Sequence, residues 1–389
     1  MPGVPRRAVL QGLIAGGLVG WPTAGWARRG RLRPDPDFAR LLPWEPYAVG
    51  VRPFREGGVR LERDAPLAGK ALVHNYGHGG AGITLAFGCA EEAADLVEAA
   101  IREQGERPAS VAVIGTGVIG MTTAAALVRR RPKLPVTVYT RELDLRETTS
   151  AVAGGQFEPS GVWRQHADDA GRARLERWLR GSRDRIRALE PEWAKYGIAE
   201  RDNFTLANGS VGFDEGTPRD VVAEPTSLAL PFERLRAPGR RYRTWLLDPP
   251  RLLPALRSDL ERDGVRFEQR GFRTPDDVAQ LDQTVLVNCT GYGAKALFGD
   301  DALVPQRGHL VKLVRPSEKH DYLFGGGCGH GVTSYVFCRH DDIVVGGTVL
   351  SGDDRPFVDD TDGPVFERLL ANAAAVFAGL PEQCVPTRP

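Results

Sequence analysis

The chain lacks most of what would assign it quickly. It has five cysteines and no CxxC pair: Cys89, Cys289, Cys328, Cys338 and Cys384 lie far apart. That spacing offers neither a zinc site nor a thioredoxin-like motif, and the odd number argues against a disulfide framework. Most are expected as small buried hydrophobes. Charge of one sign is also lacking: 51 basic and 50 acidic residues give a formal net charge of +1. Nothing therefore points to nucleic acid or a broad membrane surface as partner. No internal repeat or low-complexity tract interrupts the sequence, and its apolar runs are too short to span a bilayer comfortably. What remains, 42% hydrophobic and 26% charged residues over 389 positions, fits a globular protein of two domains or one large composite.

The strongest signal present is Val111–Gly120, VAVIGTGVIG. Four mostly apolar β-formers run into Gly115-Thr-Gly117-Val118-Ile119-Gly120, a helical pattern follows from Met121 to Arg130, and Val136–Tyr139 reads as a second buried strand. A GxGxxG match is weak alone, but strand, turn, helix and strand are the context it needs to bind a dinucleotide. Gly115 permits the turn, Gly117 lets backbone approach a pyrophosphate, and Gly120 lets helix pack on strand. The helix N-terminus then presents free N–H groups to phosphate. Such a unit usually opens its domain, yet about a hundred residues precede this one.

Those residues divide into three parts. Residues 1–27 carry Arg6-Arg7, an apolar run from Ala8 to Trp21, and small residues near Ala27. This pattern predicts an export signal of the twin-arginine type, which would engage that machinery and carry a folded protein to the periplasm or beyond. Residues 28–43 read as a linker. The third part, residues 44–101, holds Val49-Gly-Val-Arg52-Pro-Phe-Arg55, then Val59-Arg-Leu-Glu62, then His74-Asn-Tyr-Gly77-His78-Gly79-Gly80-Ala-Gly82-Ile83-Thr84, with a helix predicted from about Ile83 to Ile101. This is a second glycine-rich turn feeding a helix, and two such ends suit a large dinucleotide. His74 and His78 lie in a glycine-rich loop with no carboxylate or cysteine beside them in sequence, so no metal site is expected.

Several of these strings together resemble the D-amino-acid oxidase family of FAD-dependent flavoenzymes. VGVRPFR, VRLE and HNYGHGGAGITLAFGCA resemble its C-terminal signature, and residues 111–120 its FAD fingerprint. Thr148-Thr149-Ser150-Ala-Val-Ala-Gly-Gly155-Gln156-Phe-Glu-Pro159 resembles its second flavin-contacting loop. Val287–Ala294, with Gly291, resembles its late strand and glycine turn. Pro305–Gly308 and Tyr335–Thr348 resemble its substrate-side strands. The resemblance implies an α/β fold with an FAD-binding Rossmann-like domain and a mainly antiparallel substrate domain. It assigns residues 70–160 and 248–305 to the former, and 44–69, 161–247 and 306–389 to the latter. It also implies that FAD is held by Gly77, His78, Gly79, Gly80, Gly82, Ile83, Thr84, Gly115, Gly117, Val118, Ile119, Gly120, Arg141, Glu142, Thr148, Thr149, Ser150, Gly155, Gln156 and Gly291. Arg52 would bind a substrate carboxylate, Tyr335 would touch the same group, and the Gly80 carbonyl would orient the substrate amine.

The family order is not kept. The signature expected at the end of the chain stands before the first strand, and no second copy follows Thr348. We therefore expect a circular permutation, in which residues 102–110 join a former C-terminal helix to a former first strand. Other departures concern single positions. The lid tyrosine of the family is Gly331 here. The acid that ends its second strand gives way to Arg141, with Glu142 next. Glu158 stands where a polar residue near the substrate side chain is expected, which would favour a cationic or polar side chain. The expected reaction is oxidative deamination of a D-amino acid, with hydride transfer to flavin N5 and molecular oxygen or another electron acceptor completing the cycle. The alternatives are a flavin dehydrogenase, an oxidase of glycine or of a secondary amine, and an exported flavin- or amino-acid-binding protein without turnover. Oligomeric state has no signal in the sequence.

Overall fold

The computed structural model describes residues 32–105, 108–166, 168–207, 217–325 and 334–384. Strands β1 (Tyr47–Arg55), β2 (Arg60–Leu67) and β3 (Lys70–Tyr76) lead into helix α1 (Gly82–Glu103). Strand β4 (Val111–Ile114), helix α2 (Val118–Arg130) and strand β5 (Val136–Thr140) follow as a βαβ unit. After α3 (Asp169–Ala188) and α4 (Trp193–Tyr196) come β6 (Ile198–Leu206), β7 (Thr226–Ala229) and β8 (Pro238–Leu247). Then α5 (Pro249–Arg262), β9 (Arg266–Gln269), α6 (Pro275–Ala279), β10 (Val285–Asn288) and α7 (Ala294–Phe298) return the chain to the first layer. The described chain closes with β11 (Leu303–Val314), β12 (Tyr322–Phe324), β13 (Tyr335–Cys338), β14 (Asp342–Gly346), β15 (Leu350–Ser351) and α8 (Gly363–Phe377).

Two mixed sheets result. The smaller has six strands in the order β2-β3-β10-β4-β5-β9. Its last five run parallel, and β2 is antiparallel to β3. The sequences VAVI, VTVYT and VLVN are apolar on both sides because helices cover both faces. Val111, Val113, Val138 and Val287 pack toward α1, α2, α3 and α5, whereas Ala112, Ile114, Tyr139 and Leu286 pack toward α6 and α7.

The larger sheet has nine strands. Eight follow the order β1-β11-β14-β13-β12-β6-β8-β7, and β15 pairs with β11. Apart from the parallel β12–β6 pair, its neighbours are antiparallel. One face packs under α8 through Phe204, Phe232, Phe324, Val345, Phe366 and Phe377. The other face carries Leu246, Leu310, Leu323, Phe337 and Tyr335.

Several expectations change here. Residues 60–67 fall in the six-stranded sheet and not with the substrate part, because Arg60↔Tyr76 and Leu61↔Asn75 pair β2 into a hairpin with β3. Helix α3 likewise leaves the substrate part. A Cβ on Gly88 of α1 would lie 1.9 Å from the Trp178 carbonyl, so the two helices touch backbone to backbone. Trp178, Leu179 and Ile186 then join the core of α1. The described part of the predicted linker is docked, not free. Arg33 pairs with Asp202 at 2.8 Å and also with Asp321, lies over the rings of Phe204 and Tyr322, and Leu41 bridges Leu313. Cys384 is disulfide-bonded, contrary to the reading of the odd cysteine count, while Cys89, Cys289 and Cys338 are free and buried. Residues 1–27, Val211–Phe213, Cys328 and Gly331 lie outside the described residues.

Candidate functional site

The site begins at the carboxyl ends of three neighbouring parallel strands. β3, β10 and β4 each run into a glycine with positive φ: Gly77 at 87°, Gly291 at 58° and Gly115 at 118°. Two of these turns feed helices, α1 and α2, and neither helix is capped by the side chain of its own N-cap residue. Open amides at a helix start are where an anion is stabilised.

The glycines divide by what a side chain would meet. A Cβ on Gly115 would lie 2.4 Å from the Cys289 carbonyl oxygen, and one on Gly120 only 1.9 Å from that of Gly115. Backbone closes on both, so the turn itself requires glycine. At Gly117 the nearest atom would be Ser150 Oγ at 3.3 Å. The close atom there is a side-chain oxygen and not backbone, and the glycine keeps backbone accessible to a ligand. Ser150 accepts from the Val118 N–H at 3.0 Å, which brings the 148–156 loop onto the start of α2.

That loop joins the two sheets. Thr148 closes its own turn, donating to Leu145 O at 2.7 Å and accepting from Ala151 N, and Thr149 donates to Val51 O of β1 at 3.0 Å. Gly155, at φ 93°, accepts from Leu247 N at 2.8 Å, and its Cβ would meet Leu247 O at 2.6 Å. Gln156 turns its side chain to Tyr242 of β8 at 3.0 Å. Thr84, in the first turn of α1, donates to Glu158 O at 2.8 Å and accepts from Glu158 N at 2.9 Å. Strand β1 makes the second link: Pro53 lies near Gly291, Phe54 against Gly79, and Arg55 against Gly77.

His78 and Ile83 are buried within this turn, and Gly82 sits beside the His78 Cβ. Burial, with His166 nearby, holds the His78 imidazole down to about 3, so it is neutral. His74 is bound to Asp64 and Asn288. Arg141 and Glu142 stand exposed at the end of β5. Gln269 Nε2 donates to Arg141 O at 3.1 Å and to Glu142 Oε2 at 3.4 Å. Thr116 and Thr140, which sequence reasoning passed over, bond at 2.9 Å and tie the first glycine turn to this strand end.

The second half of the site lies on the nine-stranded sheet. The face that carries Tyr335 is nearly bare along one band, at Gly50, Gly308 and Gly346, and two side chains lie across it. A Cβ on Gly308 would be 2.5 Å from both terminal nitrogens of Arg52, and one on Gly346 would be 2.5 Å from the Tyr335 hydroxyl. Burial pushes that hydroxyl above its ordinary value, and Arg52 beside it pulls the other way. Gly80 is adjacent too, since its Cβ would be 3.8 Å from Arg52 Cδ. Arg52 Nη1 donates to the Thr348 carbonyl at 2.9 Å. Its neighbours have acids: Arg55 holds Asp300, Arg307 holds Asp362 and Arg339 holds Asp342. Among the described residues, Arg52 forms no ion pair.

This is a dinucleotide cradle on one sheet facing a cation and a phenol on the other. A family model described as FAD dependent oxidoreductase matches residues 110–388. The chain belongs to that family. It is 32% identical to the D-amino-acid oxidase of Streptomyces coelicolor over 243 residues, 62% of this chain and 71% of that protein. It is 25% identical to the human D-aspartate oxidase over 257 residues, 63% of this chain and 70% of that one. Glycine oxidase from Geobacillus kaustophilus superposes with a TM-score of 0.48 at 18% identity, covering 70% of this chain and 79% of that one. The cofactor of this FAD dependent oxidoreductase is FAD, and the two glycine turns that feed helices α1 and α2 fit it.

Proposed function

We propose that this oxidoreductase catalyses the oxidative deamination of a D-amino acid, taking up oxygen and water and releasing a 2-oxo acid, ammonia and hydrogen peroxide. The observation that carries the reading is Arg52, which forms no ion pair among the described residues and is laid over a glycine beside the Tyr335 hydroxyl. A guanidinium whose bond is to a neutral carbonyl is poised for a carboxylate, which it binds bidentately. Tyr335 adds a neutral donor to the same group, and the Gly80 carbonyl accepts from the neutral amine. Together they fix the α-carbon in one orientation and select one enantiomer. FAD, when bound, supplies the two-electron acceptor for the α-hydrogen. The chain's own contribution is orientation and the exclusion of water, which need no side-chain base on the α-proton.

We infer that residues 44–389 are one family unit opened at a new place, with the family's closing segment moved ahead of β4. Three observations support it. The matched region starts at residue 110, just before β4. Strands β1 and β3 nevertheless complete both sheets. The two ends of the described chain lie side by side, with Phe38 and Phe377 ring centroids 5.7 Å apart and both packed in one core. Residues 1–27 are read as a twin-arginine export signal, so the folded enzyme would work outside the cytoplasm. Sequencing the N-terminus of the exported protein tests that part.

A panel of D- and L-amino acids, read by anaerobic bleaching of the flavin and then by peroxide yield in air, tests the reaction. The expected result is bleaching by some D-amino acid and not by its L-form, with one peroxide formed per substrate. Bleaching without peroxide would make the protein a dehydrogenase. No bleaching by any D-amino acid would overturn the reading.

A further inference from the structure

One polar side chain on the site face of the large sheet has no partner. Asn203, on β6, is fully buried, and neither its Oδ1 nor its Nδ2 makes a hydrogen bond. Its face follows from the register. Asn203 pairs across strands with Tyr242 and Leu323, and Leu323 pairs with Phe337, two residues from Tyr335 on β13. Asn203, Tyr242 and Tyr335 therefore point to one side of the sheet. β6 and β13 are separated by β12, so Asn203 lies about 10 Å from the strand of Tyr335.

The surrounding groups fix what faces Asn203. Tyr242 Oη accepts from Gln156 Nε2 at 3.0 Å and donates to Glu158 Oε2 at 3.4 Å. This sets the Gln156 amide and turns its Oε1 away from Tyr242. A Cβ on Gly325 would lie 3.8 Å from that Oε1, 3.7 Å from Asn203 Oδ1 and 3.9 Å from Asn203 Nδ2. Gly325 follows the Phe324↔Val336 pair and so stands beside Tyr335. The space over Gly325, on the strand beside that of Tyr335, is thus flanked by the Gln156 amide oxygen and by both polar atoms of the Asn203 amide.

We propose that Asn203, with Gln156, is the recognition point for the substrate side chain, and that the side chain it takes is a primary carboxamide. The assignment rests on the D-amino-acid reading above. Buried amide atoms are normally paired, and the missing partners must come from something that enters the site. A carboxamide NH₂ supplies two donors for Asn203 Oδ1 and Gln156 Oε1, and its carbonyl accepts from Asn203 Nδ2. An ammonium would leave the Asn203 donor unpaired, and a carboxylate would bring oxygens against two acceptors. A branched hydrocarbon would leave all three unsatisfied, which a site built on hydrogen bonds rejects strongly.

The test compares D-glutamine, D-asparagine, D-leucine and D-glutamate on the FAD-loaded enzyme, and repeats the comparison on Asn203→Leu. The expected result is a kcat/KM at least tenfold higher for one of the amides than for D-leucine or D-glutamate. In Asn203→Leu the amide-to-leucine ratio should fall at least tenfold. Equal use of D-leucine, or a ratio unmoved by the substitution, overturns the assignment while leaving D-amino-acid oxidation in place. If no D-amino acid is oxidised, the reaction reading fails, and the amide site is judged separately by flavin absorbance shifts. Glutaramate should then bind at least tenfold tighter than its isosteric branched hydrocarbon acid, and equal binding overturns the site.

Discussion

The Arg52 guanidinium donates to the backbone carbonyl of Thr348 at 2.9 Å, and the Thr348 hydroxyl is itself held from behind. The hydroxyl accepts from the His309 N–H at 2.8 Å and meets His309 Nδ1 at 2.9 Å, while His309 Nε2 reaches Asp362 at 3.0 Å. Asp362 also takes both terminal nitrogens of the buried Arg307. Burial lowers the His309 pKa. In the neutral ring Nε2–H donates to the carboxylate, and Thr348 Oγ1 donates to Nδ1. Thr348→Val removes this hold without changing the shape, at a cost of about 1–3 kcal/mol for the unpaired His309 groups. We expect KM for the amino acid to rise about tenfold, consistent with one displaced charged hydrogen bond, with kcat much less affected. Thr348→Ser should restore KM. Steady-state kinetics on the three proteins checks this.

Truncation of Arg52 should be far more costly. Arg52→Ala is expected to lower kcat/KM by about a thousandfold, the scale of losing one partner of a buried charge pair. Arg52→Lys should recover part of the loss, since an ammonium keeps the charge but not the fork. FAD content, read from the flavin-to-protein absorbance ratio, should not change in either variant.

The bare floor gives a steric prediction. A methyl group on Gly346 would lie 2.4 Å from the Tyr335 ring, and one on Gly308 would be 2.5 Å from the Arg52 guanidinium. Gly346→Ala should raise KM while leaving FAD bound. Gly120→Ala should do the reverse first, because its methyl would strike the Gly115 carbonyl and open the cofactor turn. Its preparations should be colourless or unstable. A yellow, stable Gly120→Ala protein would contradict this account of the turn.

His78 sets an acid limit on stability. Its ring is held down to about 3 from an ordinary 6.5, by burial and then by His166. Between those values the unfolded chain takes up a proton that the folded chain refuses. Stability is therefore full above about 6.5 and falls on acidification, by up to about 1.4 kcal/mol per pH unit for this group. Urea melts at pH 7 and 5 should show the loss, and His78→Gln should remove about one proton from the slope. Equal slopes would reject the assignment.

The side-by-side ends predict a tolerated change of connectivity. A chain that begins at residue 108, ends at residue 105 and joins the present ends by a short linker should fold, bind FAD and keep the same substrate preference. A colourless, unfolded product would count against the permuted reading.

The sequence told much about this arrangement, and unevenly. The runs VAVI, VTVYT and VLVN and the helices that follow both glycine turns were legible because period and turn chemistry act locally. The places of β2 and α3 were not. One depends on a hairpin partner, the other on the contact of Gly88 with Trp178, and neither leaves a local trace. At the site, Arg52 and Tyr335 were found through the strings around them. Asn203 was missed, since an asparagine in a strand reads as ordinary until its neighbours across the sheet are known. Thr116, Thr140 and the bare floor at glycines 308 and 346 escaped for the same reason.

Strand β10 lies between β3 and β4, and all three glycine turns of the cradle hang from these strands. Residues 70–76 and 111–114 leave the ribosome early, but they are not neighbours until residues 285–288 are inserted between them. A nascent chain of two hundred residues therefore has both fingerprints and no place for the nucleotide. Loading must wait until roughly three quarters of the polypeptide has been made, so flavin uptake would report that the strand between the two fingerprints is in place.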